Sequence, residues 1–171
     1  FKQMIASFFQ IRRGSAFVFK AGARSKQTQN ASVHALIEAS ADELVKNGAK
    51  FMNPRDVAKN SDYLFLMLGY PHDVEKMVFC PDSGILNHMK PGSYLIDHTT
   101  SSPGLAQRIH SELKQRQVHS IDAPVSGGDI GARNGKLVTM IGGDDSAISD
   151  CLPLLNCYSA ECKAMGAAGA G

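Results

Sequence analysis

At 171 residues, 43% apolar and 20% charged, the chain has the size and composition of one core-bearing domain, with room for at most the start of another. Its longest informative apolar run, "YLFLMLGY", falls far short of the ~18 residues of a membrane-spanning helix, so no membrane partner is expected. A net charge of +2 argues against a nucleic-acid partner, and four cysteines without C-x-x-C spacing (Cys80, Cys151, Cys157, Cys162) read as reduced, intracellular and mostly buried thiols rather than a metal site.

The charge is unevenly spread. Up to Ile37 the chain carries Lys2, Arg12, Arg13, Lys20, Arg24 and Lys26 and no acid, which leaves twelve basic and sixteen acidic residues for the remainder. A basic, serine-containing, acid-free opening such as "MIASFFQIRRGSAF" has the composition of a mitochondrial transit segment. Mitochondrial localisation is therefore expected, with the cytoplasm as the alternative, and residues 1–40 are set apart from the domain that follows.

Regular elements begin at Ala41. "ADELVKNG" predicts a short helix ending at Gly48, and "NPRDVAKN" a second one, opened by Asn53 with Pro54 at its first position. "DYLFLML", between Asp62 and Gly69, is apolar enough for a strand buried on both faces. "PHDVEKMVF" reads as helix and "SYLIDHTT" as strand. In "SSPGLAQRIHSELKQRQ" Leu105, Ile109 and Leu113 fall four apart, on one helical face. "VHSIDAP" and "LVTMIGG" are further strands, and "DDSAISDCLPLL" is a helix with acids in its first turn. The tail "AMGAAGAG" looks like a boundary.

Strands alternating with helices predict an α/β fold: a Rossmann-like, mostly parallel, doubly wound sheet. It is expected to be incomplete at its N-terminal side, since nothing upstream supplies a legible strand followed by a G-x-G-x-x-G turn. Ligands of such sheets lie beyond the carboxyl ends of the strands. Three successive strand ends here are small or polar: "LGYP", "DHTT" and "DAPVSGG".

The stretch "DAPVSGGDIGARNGKLVTMIGG" resembles the substrate loop of the β-hydroxyacid dehydrogenases, a superfamily that includes 3-hydroxyisobutyrate dehydrogenase and 6-phosphogluconate dehydrogenase. The resemblance extends through "SYLIDHTTSSPGLA", "MLGYPHDVEKMVF" and "ADELVKNGAKF", covering Ala41 to Gly171, and looks closest to the 3-hydroxyisobutyrate dehydrogenase-like branch. It implies NAD or NADP as cofactor and a small 3-hydroxy acid, interconverted with its semialdehyde, as substrate. It also implies that Ser126, Gly127 and Gly128 hold the substrate carboxylate, an assignment with a physical reason, because successive unhindered N–H groups make an anion-binding concavity. Leu68 and Gly69 would run along the dinucleotide, Asp73 would approach it, and Thr100 would face the nicotinamide.

Blander readings stay open at several positions. Asp73 stands where acids favour a helix start, and Thr100 suits a cap. Asp122 reads as structural, His98 and His119 as packed or solvated, and Met77, Met89 and Met140 as core filling. The chain also departs from the family's pattern. Before Gly48 its glycines are Gly14 and Gly22, without the phosphate-loop spacing, and "ARSK" only stands in for an NADP-type arginine. The family's catalytic lysine would lie beyond Gly171, and Lys163 does not occupy its place. The expectation is thus a partial nucleotide-binding domain over 41–165, the start of an interdomain helix over 166–171, and little turnover by this chain. A non-catalytic nucleotide-binding or dimerising module derived from the family is the alternative, and a homo-oligomer fits either reading.

Overall fold

Three helices open where the sequence marks their starts. In the computed structural model, which describes residues 17–21, 32–35, 42–46 and 49–171, helix α1 (Asp42–Lys46) is followed by α2 (Pro54–Lys59), α3 (Pro71–Phe79) and α4 (Pro103–Lys114). All but α1 begin on a proline, whose fixed φ and missing N–H cost nothing at that position. Asn53 caps α2, its side-chain oxygen accepting from the Asp56 N–H at 2.9 Å. Ser102 caps α4 in the same way, accepting from the Leu105 N–H at 3.3 Å. Two more helices follow, α5 (Gly128–Asn134) and α6 (Asp145–Leu155).

The strands are β1 (Phe17–Ala21), β2 (Ser32–Ala35), β3 (Lys50–Phe51), β4 (Tyr63–Met67), β5 (Tyr94–Asp97), β6 (His119–Asp122), β7 (Val125–Ser126), β8 (Leu137–Gly143) and β9 (Ser159–Gly166). They form one sheet in the order β3-β2-β1-β4-β5-β6-β8-β7, with β9 paired to β8. The heart of it, β4, β5 and β6, is parallel, and β8 and β9 are parallel to each other. β8 runs antiparallel to β6 and β7. β1 is antiparallel to both β2 and β4, so it covers the edge of β4 that would otherwise be bare.

Alternation along the buried strands sends neighbours to opposite faces. Leu64, Leu66 and Leu95 pack with Val57, Val74, Val78, Ile109 and Leu113 of α2, α3 and α4. Phe65, Ile96 and Ile121 pack on the other face with Ala132 of α5, Ile148 and Leu155 of α6, and Tyr158. The sheet is therefore wound on both sides, as its apolar strands predict. Of the predicted helical stripe, Ile109 and Leu113 are buried and Leu105 partly so. At the strand starts Tyr63, Tyr94 and His119 stack as a ladder of rings, 4.8 and 4.7 Å between centroids.

Some features were not foreseen. α5 and β9 have no clear counterpart in the sequence reading, and residues 167–171, expected to open a helix, form a turn folded back on the strand ends. Only Cys151 among the four free cysteines is fully buried; the other three are half-buried. Met77 and Met89 are core residues as expected, whereas Met140 is half-buried. Within residues 1–40, set apart in the sequence as transit-like and without a legible strand, β1 and β2 are strands of the sheet, while residues 4–16 of the transit-like run and "ARSK" lie outside the described residues.

Candidate functional site at the strand ends

Because β4, β5 and β6 are parallel, their carboxyl ends Met67, Asp97 and Asp122 lie along one edge of the sheet. Two hydrogen bonds join the segments that follow. The Asp97 carboxylate accepts from the Thr99 N–H at 2.9 Å, an Asx turn, and the Thr99 hydroxyl accepts from the Leu68 N–H at 2.9 Å. Asp97 is buried, which pushes its pKa from 3.8 up to about 6; the bonds from Thr99 oppose the rise and the charge of Asp122 adds to it.

Between β5, β6 and the start of α4 lies a cleft lined by Asp97, Thr100, Ser101, Ser102, Asp122 and Pro124 among others. Gly169 and Gly171 of the tail also line it, because Asp122 holds the tail there. One carboxylate oxygen accepts from the Gly169 N–H and the other from the Gly171 N–H, each at 2.8 Å. With the tail in place the cleft encloses about 60 Å³, space for a small polar group or about two waters. The Ser101 hydroxyl is buried there without a hydrogen-bond partner among the described residues. A buried hydroxyl left without a partner costs free energy, so this atom is poised for a polar group from outside the chain.

Beyond Pro124 the chain leaves the cleft. β6 and β7 are one bent strand in a single register with β8, Asp122 opposite Gly142 and Val125 opposite Thr139. It ends at Ser126, Gly127 and Gly128, which are exposed. Gly127 has φ +127° and Gly128 φ +56°, values that side-chain-bearing residues rarely adopt. A Cβ on Gly127 would also come within 3.1 Å of the Leu137 side chain. Neither glycine N–H has a hydrogen-bond partner among the described residues.

The structure brings the sequence-predicted residues together only in part. Thr100 is exposed and lines the cleft, whereas Ser126, Gly127 and Gly128 do not line it and sit on the turn beyond. Leu68 is buried at the end of β4 and Gly69 is exposed beside it. Asp73 lies in the first turn of α3, half-buried. Its Oδ2 would be 3.5 Å from a Cβ on Gly69, and its Oδ1 is 3.4 Å from the exposed imidazole of His72. His98 and His119 are both packed, the former buried and the latter stacked on Tyr94. The sequence reading passed over Asp97 and Ser101. The Asp97–His98–Thr99 spacing, an acid two residues before a backbone donor at a strand end, was the available signal for Asp97; nothing in the sequence singles out Ser101.

A family profile described as the NAD binding domain of 6-phosphogluconate dehydrogenase matches residues 21–166. The chain belongs to that family. Among its relatives are the uncharacterized oxidoreductase YkwC of Bacillus subtilis, 39% identical over 140 residues, and the probable 3-hydroxyisobutyrate dehydrogenase-like 1, mitochondrial, of Arabidopsis thaliana, 40% identical over 134. These alignments cover 81% and 78% of this chain but 48% and 40% of the relatives, so the chain spans less than half the length of either. A solved structure of Mycobacterium tuberculosis 3-hydroxyisobutyrate dehydrogenase with L-serine superposes with a TM-score of 0.72 at 28% identity, covering 80% of this chain and 46% of that one.

The Rossmann-like α/β architecture of this NAD-binding family is therefore that of the chain, and its match begins upstream of Ala41, where the sequence resemblance begins. The fit of the described residues to a nicotinamide dinucleotide is divided. At the ends of β4 and β5 the exposed Gly69, the half-buried Asp73 and the unpartnered Ser101 hydroxyl suit a polar ligand lying along the edge. The phosphate cradle is different. In the family pattern a glycine turn follows a strand parallel to β4, but here β1 is antiparallel, and its last residue Ala21 lies beside Tyr63 at the opposite edge.

Proposed function

We propose that this chain forms the nucleotide-binding part of an NAD- or NADP-dependent oxidoreductase of the 3-hydroxyisobutyrate dehydrogenase type, which interconverts a small 3-hydroxy acid and its semialdehyde. The observation that carries the reading is the turn after the bent strand. Two consecutive glycine N–H groups stand there without partners among the described residues, next in sequence to Ser126, on the strand-end side of a sheet whose family binds NAD. Three donors without side-chain obstruction are suited to the oxygens of one carboxylate.

In this reading Ser126, Gly127 and Gly128 hold the substrate acid, while Leu68, Gly69, Asp73 and Thr100 border the cofactor. NAD(P), when bound, takes or returns the hydride at the substrate's carbinol carbon. The hydroxyl proton needs a separate acceptor. Among the described residues no lysine, arginine or histidine lines the cleft, and the Asp122 carboxylate is engaged by the tail. In this reading the described residues bind and orient, the proton acceptor is not one of them, and turnover by this chain alone is negligible.

The test is a titration of 3-hydroxyisobutyrate into the isotope-labelled chain. Amide signals of Gly127 and Gly128 should move, and Ser126→Ala should weaken binding roughly tenfold, the loss of one hydrogen bond to a charged group. Shifts confined to other residues would refute the clamp. Robust dehydrogenase turnover by this chain would refute the assignment of the proton acceptor. Mitochondrial localisation belongs to the same proposal, supported by the basic opening of the chain and the printed name of the Arabidopsis relative. A fluorescent protein fused to residues 1–40 that stayed in the cytosol would count against it.

A further inference from the structure

His98 is the residue that follows β5, and its ring is buried beneath the strand ends. Nδ1 lies 2.6 Å from the Ala123 carbonyl oxygen and Nε2 lies 2.8 Å from the Tyr158 hydroxyl. A carbonyl oxygen only accepts, so Nδ1 carries the proton. Burial pushes the His98 pKa from 6.5 down to about 4, so the ring is neutral near pH 7 and holds one proton. Nε2 is then bare and accepts from the Tyr158 O–H, whose own ionisation burial suppresses. Aromatic neighbours fix the ring plane: Phe65 stacks on it at 5.9 Å, and Tyr158 meets it edge-on at 5.7 Å.

Ala123 sits in the bend of the strand, three residues before Ser126. Its N–H donates to the Asp97 carbonyl at 2.7 Å, so consecutive residues of the β5 end hold both of its backbone groups. The next carbonyl, Pro124, accepts from the Met140 N–H at 3.1 Å, and Val125 and Ser126 pair with β8. The Ala123 carbonyl is the one point of this path held by a side chain. Without that donor the bend would carry a buried backbone acceptor seeking another partner, and the strand that aims the turn would be released at its pivot.

From this geometry we infer that His98, held in its Nδ1–H form by the Ala123 carbonyl with the Tyr158 hydroxyl donating to Nε2, is the positioning residue of the Ser126–Gly127–Gly128 turn. The inference rests on reading that turn as a carboxylate clamp. It assigns a task to a buried Tyr–His pair that touches neither the cleft nor the turn, and it ties the start of β9 to the substrate side of the sheet.

The experiment uses this chain with ¹⁵N-labelled histidine. His98 should show a protonated Nδ1 and a bare Nε2, with no titration between pH 7 and pH 5; a protonated Nε2 or a titration in that range would overturn the inference. Two substitutions, one that keeps a donor near the place of Nδ1 and one that removes it, then test the positioning role. In His98→Asn the amide nitrogen stands near the place of Nδ1 and should keep 3-hydroxyisobutyrate affinity within about threefold. In His98→Leu nothing donates, and affinity should fall at least tenfold. Equal affinities in the two variants would overturn the inference. If the unaltered chain binds no carboxylate, the clamp reading fails. The positioning role is then decided without ligand by the Gly127 and Gly128 amide shifts, which His98→Leu should move and His98→Asn should not. If His98→Leu does not fold, His98→Gln decides: its amide reaches the place of Nε2 and leaves the Ala123 carbonyl without its donor, so the same two amides should move, and unmoved signals would overturn the inference.

Discussion

Asp97 and His98 are adjacent, both buried, and shifted in opposite directions. The Asp97 carboxyl ionises at about 6 in the folded chain instead of 3.8, so burial of its charge lowers stability as pH rises from about 4 to 6. His98 takes up its proton at about 4 instead of 6.5, so its contribution is present above 6.5 and is lost as pH falls towards 4. Each effect is on the order of 3 kcal/mol at full extent, and over the shared window they oppose one another. The unaltered chain should therefore show a nearly flat stability profile between pH 6.5 and 4. Asp97→Asn should be more stable than the parent at pH 7 and should lose stability on acidification; His98→Asn should gain stability on acidification. Urea denaturation at several pH values checks both signs, and parallel profiles for the two variants would contradict the assignment. Neither residue was legible as a pair in the sequence, because "IDHTT" shows an acid and a histidine but not that both side chains are buried.

Elements were readable wherever a local rule and the burial agreed. α2, α3 and α4 each combine a proline at the first position with apolar residues turned inward, and β4, buried at its three central residues, is a nearly continuous apolar run. β1, β2 and β3 were not read as strands, and two further elements failed that condition. α5 buries only Ala132 and exposes Ile130 at 76%, so "GDIGARN" offers no apolar stripe. β9 is mostly exposed and owes its form to pairing with β8, a partner that local sequence does not reveal. The direction of β8 was hidden for a related reason, since a strand's composition does not state its orientation. In the candidate site, polar strand ends were visible in sequence, while the hold of Asp122 on the tail joins residues 47 and 49 positions apart. Cap chemistry makes a prediction at this scale. Ser102 both caps α4 and lines the cleft, so Ser102→Ala should cost about 1 kcal/mol of stability. Its effect on hydroxy-acid binding at the separate Gly127–Gly128 turn should be small. A loss of binding larger than the loss of stability would mean that cleft and turn are one site.

At the scale of the molecule, one sheet divides two apolar layers, and the strand-end edge depends on both. Leu68 belongs to the layer of α2, α3 and α4; Ala123, at the pivot of the bend, belongs to that of α5 and α6. If the sheet transmits stability between them, a small cavity in either layer should lower one common transition rather than loosen its own side. Ile109 of α4 and Ile148 of α6, 4% and 5% exposed, probe opposite layers with the same chemistry. Ile→Val is the suitable change, because each costs about 0.5–1.5 kcal/mol and the pair leaves a domain of ordinary stability folded. Removing a whole leucine side chain from each layer would not. The sheet separates the two sites, so their costs should add to within about 0.5 kcal/mol. Each single variant and the double should show one calorimetric transition, with hydrogen exchange accelerated equally in α4 and α6 for the most protected amides. Two resolved transitions, or acceleration confined to the mutated layer, would show that the layers melt separately. The edge that presents Leu68 on one side and the Ser126 turn on the other would then not be held as a unit.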